Sequence, residues 1–379
     1  MPKIKLCFVL GTRPEVIKLA PLIIEAKKEH AIETVIINTG QHQDLSDRVF
    51  EVFGIKPDYN LRLMQENQTL EGSVSSLLTS LTPILKKIKP NWVVVQGDTN
   101  STFAGALSAF YQKIPVAHVE AGLRSDNIYA PWPEEINRRL VSQVTALHFT
   151  PTSTDTENLI HEGVKPETIL QTGNTGIDAL KILNKKIDDF APVLMEVRHQ
   201  LTQMGLPDDK KRIVLITAHR RESFEKGIAN ICDAIISLAK KFPETNFIFS
   251  THPNPRVSKT VFEKLKNTLT NIVILPALGY LEFVWLMKQS CLVMTDSGGI
   301  QEEAPSLGKR VVVLREVTER IDGLKTGFVR LAGTDFDRIT TQVSEGLTEV
   351  WPLPSKPTDI YGNGTASSLI VQALKTGKF

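Results

Sequence analysis

The strongest constraint on this chain is a rhythm in its apolar residues. Short, continuous runs rich in valine, isoleucine and leucine recur along it, and longer amphipathic stretches separate them. The first series is KIKLCFVL (3–10), ETVIINT (33–39), WVVVQ (92–96), VAHVE (116–120) and ALHFT (146–150). The second is RIVLIT (212–217), NFIFST (246–251), IVIL (272–275), LVMT (292–295) and RVVVL (310–314). A strand that is apolar on both sides must be covered on both sides, so these runs predict parallel strands in βαβ units. Stretches 16–29, 71–88 and 135–144 predict crossover helices, the second kinked or divided at Pro83.

The series breaks once, between residues 173 and 210, in a polar, charged, helix-like stretch. The restart echoes the beginning: KIKLCFVL runs into GTRPE, and KRIVLIT runs into AHRRES. Each is a strand, a basic loop and a helix. The expected architecture is α/β, with two Rossmann-like domains facing each other across a cleft. The first covers 1–172 and is joined by a C-terminal helix within 361–379, after a proline-rich segment; the second covers 173–360. A length of 379 residues suits two domains at roughly 100–200 residues each.

Charge narrows the function. Forty-four Lys and Arg against 42 Asp and Glu leave +2, so nothing global points to nucleic acid or an anionic membrane as partner. Any anion must be held by a local cluster. Cys7, Cys232 and Cys291 stand singly in apolar runs with no CxxC, which predicts buried thiols, no disulfide framework and no metal site. The N-terminal apolar run is too short for a signal peptide, and no window approaches the ~20 apolar residues of a membrane helix. A cytoplasmic protein is expected.

In open α/β sheets, ligands bind beyond the carboxyl ends of the strands. Here those positions hold Gly11-Thr12-Arg13-Pro14-Glu15 with Lys18 beyond, Gly97-Asp98-Thr99-Asn100-Ser101, Glu120-Ala121-Gly122-Leu123-Arg124, Ala218-His219-Arg220-Arg221-Glu222, His252-Pro253-Asn254-Pro255 and Asp296-Ser297-Gly298-Gly299. Six polar, ionisable loops on strand ends look like one site. Ser297-Gly298-Gly299 opening a helix is a phosphate-cradle pattern, because glycines admit a close backbone approach and helix-start N–H groups attract an anion. Glu302 or Glu303, just beyond, suits sugar hydroxyls. Asp98, Glu120 and Glu134 are the carboxylates best placed for acid/base work, and His219 beside two arginines suits a phosphate or leaving group. His30, His161 and His199 lie in polar helical stretches and are expected in solvent. There is no dinucleotide fingerprint after the first strand and no P-loop; Gly362-Asn363-Gly364 has no strand before it and reads as a turn.

Together, GTRPE-x-x-K (11–18), TGQH (39–42), GDTNST (97–102), HVEAGLR (118–124), PWPEEINRR (131–139), HRRESF (219–224) and TDSGGIQEEAPSLGK (295–309) resemble the UDP-N-acetylglucosamine 2-epimerases, in order and over nearly the whole chain. The closest likeness is to the bacterial non-hydrolysing type. The resemblance implies a GT-B fold, no cofactor, a UDP-sugar substrate and a homodimer. It implies inversion at C2 by elimination and re-addition of UDP through 2-acetamidoglucal. Residue by residue, it implies Asp98, Glu120 and Glu134 as acid/base carboxylates, with their individual roles open. Arg13, Lys18, Arg138 and His219 would be the charges around diphosphate and sugar. Ser297, Gly298 and Gly299 would form the phosphate loop, Glu303 would bind ribose, and Phe283 and Arg320 would lie near the uracil end and phosphates. Gln68 belongs to the substrate-binding set.

Many bacterial members also bind a second UDP-sugar as activator. Gln41, His42, Glu135 and His252 fit that pattern, but Asp44 replaces a Gln or Glu and Asn67 stands where Arg is usual. Losing a bidentate cation weakens a diphosphate contact, so altered or absent activation is expected. That departure strengthens a rival, the hydrolysing epimerase that releases N-acetylmannosamine and UDP. A GT-B glycosyltransferase would need an acceptor surface, of which the charge balance gives no hint. A non-catalytic nucleotide-sugar sensor could dispense with the three carboxylates.

Overall fold

The computed structural model describes residues 3–40, 43–64, 68–220, 226–252 and 254–377, and it divides into two compact units, Met1–Lys181 with Tyr361–Phe379, and Ile182–Ile360. In chain order the first unit runs β1 (Ile4–Leu10), α1 (Arg13–Lys28), β2 (Ile32–Asn38), α2 (Gln43–Phe53), β3 (Tyr59–Asn60), α3 (Leu70–Ile88), β4 (Trp92–Gln96), α4 (Asn100–Tyr111), β5 (Val116–Val119), α5 (Glu134–Val144), β6 (Leu147–Thr150), α6 (Ser153–His161) and β7 (Ile169–Gln171). Helix α7 (Thr175–Asp189) carries the chain from one unit into the other. The second unit continues with α8 (Ala191–Gln203), β8 (Arg212–Thr217), α9 (Lys226–Lys241), β9 (Thr245–Ser250), α10 (Pro255–Leu265), β10 (Ile272–Leu275), α11 (Tyr280–Gln289), β11 (Leu292–Thr295), α12 (Gly298–Ser306), β12 (Arg310–Val313), α13 (Ile321–Leu324), β13 (Val329–Leu331) and α14 (Phe336–Leu347). Helix α15 (Ala366–Thr376) belongs to the first unit.

Each unit is built on one parallel sheet. The order is β3-β2-β1-β4-β5-β6-β7 in the first and β10-β9-β8-β11-β12-β13 in the second. The central strands are buried along their length because helices cover both faces. Val93, Val94 and Val95 are fully buried in β4, as are Val214, Leu215 and Ile216 in β8. In both sheets the strand order reverses once, between β1 and β4 and between β8 and β11. These are the switch points where α/β sheets open a crevice for ligands.

Pro83 does not divide its helix. α3 runs unbroken from Leu70 to Ile88, with Leu77, Leu81 and Leu85 buried at four-residue spacing and Pro83 on the exposed side. The stretch expected to be polar and helix-like is two helices, α7 and α8. The strands not foreseen, β3, β7 and β13, are two or three residues long. In the tail, Asp178 on α7 accepts from the backbone N–H of Ser367 (2.8 Å) at the start of α15, and Lys375 pairs with Glu29 (2.6 Å). No helix among the described residues is long and apolar enough to cross a membrane.

Candidate functional site

In the first unit, the loops after β1, β4 and β5 converge at the switch point. Gly11 makes this convergence possible: a Cβ there would stand 1.9 Å from Thr39 Oγ1 and 2.6 Å from Ser101 Oγ. Those two hydroxyls are 2.8 Å apart, closing β1, β2 and α4 on one another. Arg13 is half-buried at the first position of α1, and Lys18 lies one helical turn further on, buried.

Lys18 meets Glu120, which follows β5. The Lys18 ammonium pairs with Glu120 Oε1, Gln96 donates to Oε2, and Asn174 Nδ2 donates to Oε1 at 3.0 Å. Glu120 itself has φ +62, in the left-handed region that L-residues adopt only sparsely. A buried carboxylate meeting one ammonium and two amides is held in a single geometry.

Asp98 follows β4 and keeps 24% of its side chain exposed while pairing with the Arg138 guanidinium. Asn137 donates to the Asp98 carbonyl (3.0 Å), so the first turns of α5 lie against the Asp98 loop. Glu134 opens α5, half-buried, four residues before Arg138 and therefore on the same helix face. It makes no hydrogen bond or ion pair among the described residues. The structure thus brings together Lys18 with Glu120, and Asp98 with Arg138 and the start of α5.

Glu135 is placed differently. It is fully buried and committed within the protein, accepting from Ser125 N (3.1 Å), Arg138 (3.3 Å) and Arg139 (2.9 Å). Gln68 is half-buried just before α3 and makes no hydrogen bond among the described residues. Gln41, His42 and Asn67 lie outside the described residues, as does the side chain of Asp44.

Glu15 was not foreseen. It is fully buried; Oε2 accepts from the backbone N–H groups of Gly11 (3.0 Å) and Thr12 (2.7 Å), and Oε1 accepts from Thr99 (2.8 Å) and Thr102 (3.1 Å). Burial pushes its carboxyl above the usual range, against the pull of these hydrogen bonds. One side chain therefore fastens the loop carrying Arg13 to the loop carrying Asp98. His118 was also missed: burial pulls its pKa down to about 3, and the neutral ring contacts the Gly97 carbonyl at 2.8 Å, bracing the turn before Asp98.

In the second unit the loops after β8 and β11 lie side by side. Ser297 caps α12, and its N–H donates to Thr295 Oγ1 (3.0 Å). The Arg320 guanidinium lies against the same helix start; a Cβ on Gly298 would come within 2.8 Å of its central carbon, whereas one on Gly299 would meet nothing within 4 Å. Glu302 (2.9 Å) and Glu319 (3.7 Å) hold that guanidinium in place. A helix start and a fixed cation on one spot suit an anion. Glu303 is buried and accepts from Tyr280 Oη at 2.8 Å, and Phe283 is buried on α11 with Tyr280. His219 is 31% exposed, 3.0 Å from the buried Asp296, and stacks on His252 with ring centroids 5.1 Å apart.

Three comparisons bear on this arrangement. The family model described as UDP-N-acetylglucosamine 2-epimerase matches residues 24–375. A UDP-N-acetylglucosamine 2-epimerase of Neisseria meningitidis serogroup A is 43% identical over 98% of this chain and 99% of its own, and one from Escherichia coli K12 is 42% identical over 99% of each. Among solved structures, the N. meningitidis enzyme bound to UDP-GlcNAc superposes with a TM-score of 0.93, at 42% identity over 98% of this chain and 99% of its own. The Methanocaldococcus jannaschii enzyme in complex with UDP-GlcNAc and UDP gives 0.84, at 35% identity over 98% and 99%.

Proposed function

This chain belongs to the UDP-N-acetylglucosamine 2-epimerase family, and on that premise we propose that it interconverts UDP-N-acetylglucosamine and UDP-N-acetylmannosamine by eliminating UDP and re-adding it to 2-acetamidoglucal. The C2 proton of the sugar has no adjacent carbonyl to acidify it. Its removal must be coupled to departure of the diphosphate, and the diphosphate must be held for return. The reaction therefore asks for carboxylates at the sugar and cations at the phosphates.

The observation that carries this reading is the carboxylate cluster in the first unit, where Asp98, Glu120 and the first turn of α5 stand with Arg138 and Lys18 at adjacent strand ends. Glu120, tied by three side chains, suits a fixed anion that orients and stabilises. Asp98 and Glu134, more open, suit proton transfer at C2 on its two faces. In the second unit the start of α12 with Arg320 suits the diphosphate, Glu303 the ribose diol, Phe283 the uracil end, and His219 the departing phosphate oxygen.

Incubation with UDP-GlcNAc in deuterated water, followed by NMR, tests the reading. The expected result is a mixture of the two UDP-sugars with deuterium at C2. Free N-acetylmannosamine with UDP would mean that water, not UDP, traps the intermediate. No turnover at all would leave a binding protein. A homodimer and an altered activator response, both implied by the sequence, are read from sedimentation and from the shape of the rate curve against UDP-GlcNAc.

A further inference from the structure

We propose that Asp296 is a positioning residue for His219: it fixes the imidazole proton on Nδ1 and so presents Nε2 as the ring atom that meets the substrate. The inference rests on the reading above only for what His219 does, not for how it is held.

The geometry starts in the sheet. β8 and β11 are neighbours across the switch point, in register with Thr217 beside Thr295, and the two threonine hydroxyls lie 2.8 Å apart. One residue beyond Thr295 comes Asp296, and two beyond Thr217 comes His219. The register therefore delivers the carboxylate to the base of the loop that carries the imidazole. Asp296 is completely buried. Its Oδ2 accepts from the backbone N–H groups of both His219 (2.6 Å) and Arg220 (2.8 Å). Its buried Oδ1 lies 3.0 Å from His219 Nδ1, within ion-pair distance, and makes no hydrogen bond of standard geometry among the described residues.

All three contacts thus come from one dipeptide. A carboxylate with two backbone N–H groups on one oxygen can only accept at the other, so the ring nitrogen facing it must carry the proton. On its flat side the ring stacks on His252, at 5.1 Å and 10° between planes, which limits rotation about χ2. His252 is itself oriented, its Nδ1 accepting from Asn254 N at 3.1 Å. The part of the His219 ring left for substrate is the Nε2 edge. In the neutral ring that nitrogen is a proton acceptor; in the protonated ring it is a donor. A group meeting a phosphate oxygen that leaves and then returns needs both states. Burial pushes the Asp296 carboxyl up, but His219's hydrogen bond and charge, with the two backbone donors, outweigh it and hold the group below the usual aspartate range. Among the described residues, His219 meets Asp296 from the β11 end and His252 from the β9 end.

The logic is that of a buried aspartate behind a catalytic imidazole, and Asp296→Asn tests it. Asparagine keeps the shape and can still accept the two backbone N–H groups with its oxygen. Its NH2 would donate to His219 Nδ1 and push the ring proton to Nε2. In the full chain labelled with 15N-histidine, with His219 assigned by its disappearance in His219→Gln, wild type should show the Nδ1–H tautomer. D296N should show the Nε2–H tautomer. Its kcat should fall on the order of 10²-fold, with KM for UDP-GlcNAc changed by less than about threefold. An Nε2–H tautomer in the wild-type protein would overturn the proposal, whether or not D296N folds. So would a D296N protein whose tautomer has switched while kcat is unchanged. The tautomer is measured without substrate, so a protein that fails to turn over UDP-GlcNAc would refute the epimerase reading and leave this one standing.

Discussion

Glu15 offers the sharpest test of how the first unit's site is assembled. Glu15→Ala would strip the acceptor from two backbone N–H groups, Gly11 and Thr12, and from two hydroxyls, Thr99 and Thr102. Thr102 keeps an alternative at the Gln96 carbonyl (2.6 Å), so its loss is small. The backbone donors have none in a fully buried pocket, and each orphaned donor costs about 1–3 kcal/mol. The local penalty is therefore about 2–6 kcal/mol. Glu15→Gln should behave differently. The amide oxygen can serve both backbone donors, the amide NH2 can donate to the threonines, and the desolvation that pushes the Glu15 carboxyl up is relieved. Its cost should stay under about 1 kcal/mol. Because the residue joins the loops of Arg13 and Asp98, E15A should also lose most activity at temperatures where it remains folded, while E15Q keeps it. Hydrogen exchange on peptides spanning 9–20 and 96–103 reads the local opening energy, and turnover of UDP-GlcNAc reads the alignment. An E15A protein protected like wild type in both segments, or an E15Q protein as damaged as E15A, would refute the reasoning.

Lys18→Met leaves the buried Glu120 without its cation, which should cost about 3–5 kcal/mol in urea unfolding and abolish turnover. If K18M unfolds within 1 kcal/mol of wild type, the pair is not what holds Glu120. Gly298→Ala should displace the Arg320 guanidinium, lower Tm and weaken UDP binding about tenfold in calorimetry; Gly299→Ala, whose Cβ meets no protein atom, should leave Tm unchanged. A G298A protein that binds UDP like wild type would separate Arg320 from the anion site. The hydrogen bonds from Arg124 to Glu162, 2.7 and 2.6 Å, hold that carboxyl below the usual glutamate range despite partial burial. A folded pKa below the unfolded value of about 4.3 gives stability that is complete above it and lost as pH falls through the folded value. Glu162→Gln should thus be less stable than wild type by about 1–3 kcal/mol at pH 7, with the gap narrowing as pH falls below about 4; a gap that does not narrow there would point to packing.

The elements legible in the sequence were those with a physical signature in the chain itself. A run such as Ile213–Thr217 or Trp92–Gln96 is apolar on both faces because it is central in a parallel sheet, and the sequence shows that directly. Strands β3, β7 and β13 sit at sheet edges with two or three residues paired, too few to set a pattern. Pro83 does not divide α3, because Leu77, Leu81 and Leu85 pack the helix on both sides of it.

The candidate site residues divide along a similar line. Asp98, Glu120, Lys18 and His219 could be picked out because polar groups directly after buried strands have no structural reason to recur six times. Glu15 and Asp296 stand in the same motifs, yet nothing in the chain marks their roles. What sets them apart is a third-dimensional fact: each carboxylate is completely buried and takes two backbone N–H groups, Glu15 from its own loop with two hydroxyls from the next, Asp296 from the loop after β8. Such a group contributes little as a charge in water and much as a fixed acceptor in a closed pocket, where an unmet donor is costly. Both lie at a switch point, where adjacent strands leave the sheet in opposite directions and their loops would otherwise splay. Two acidic side chains turned inward hold those loops together beside the carboxylates and cations of the candidate site.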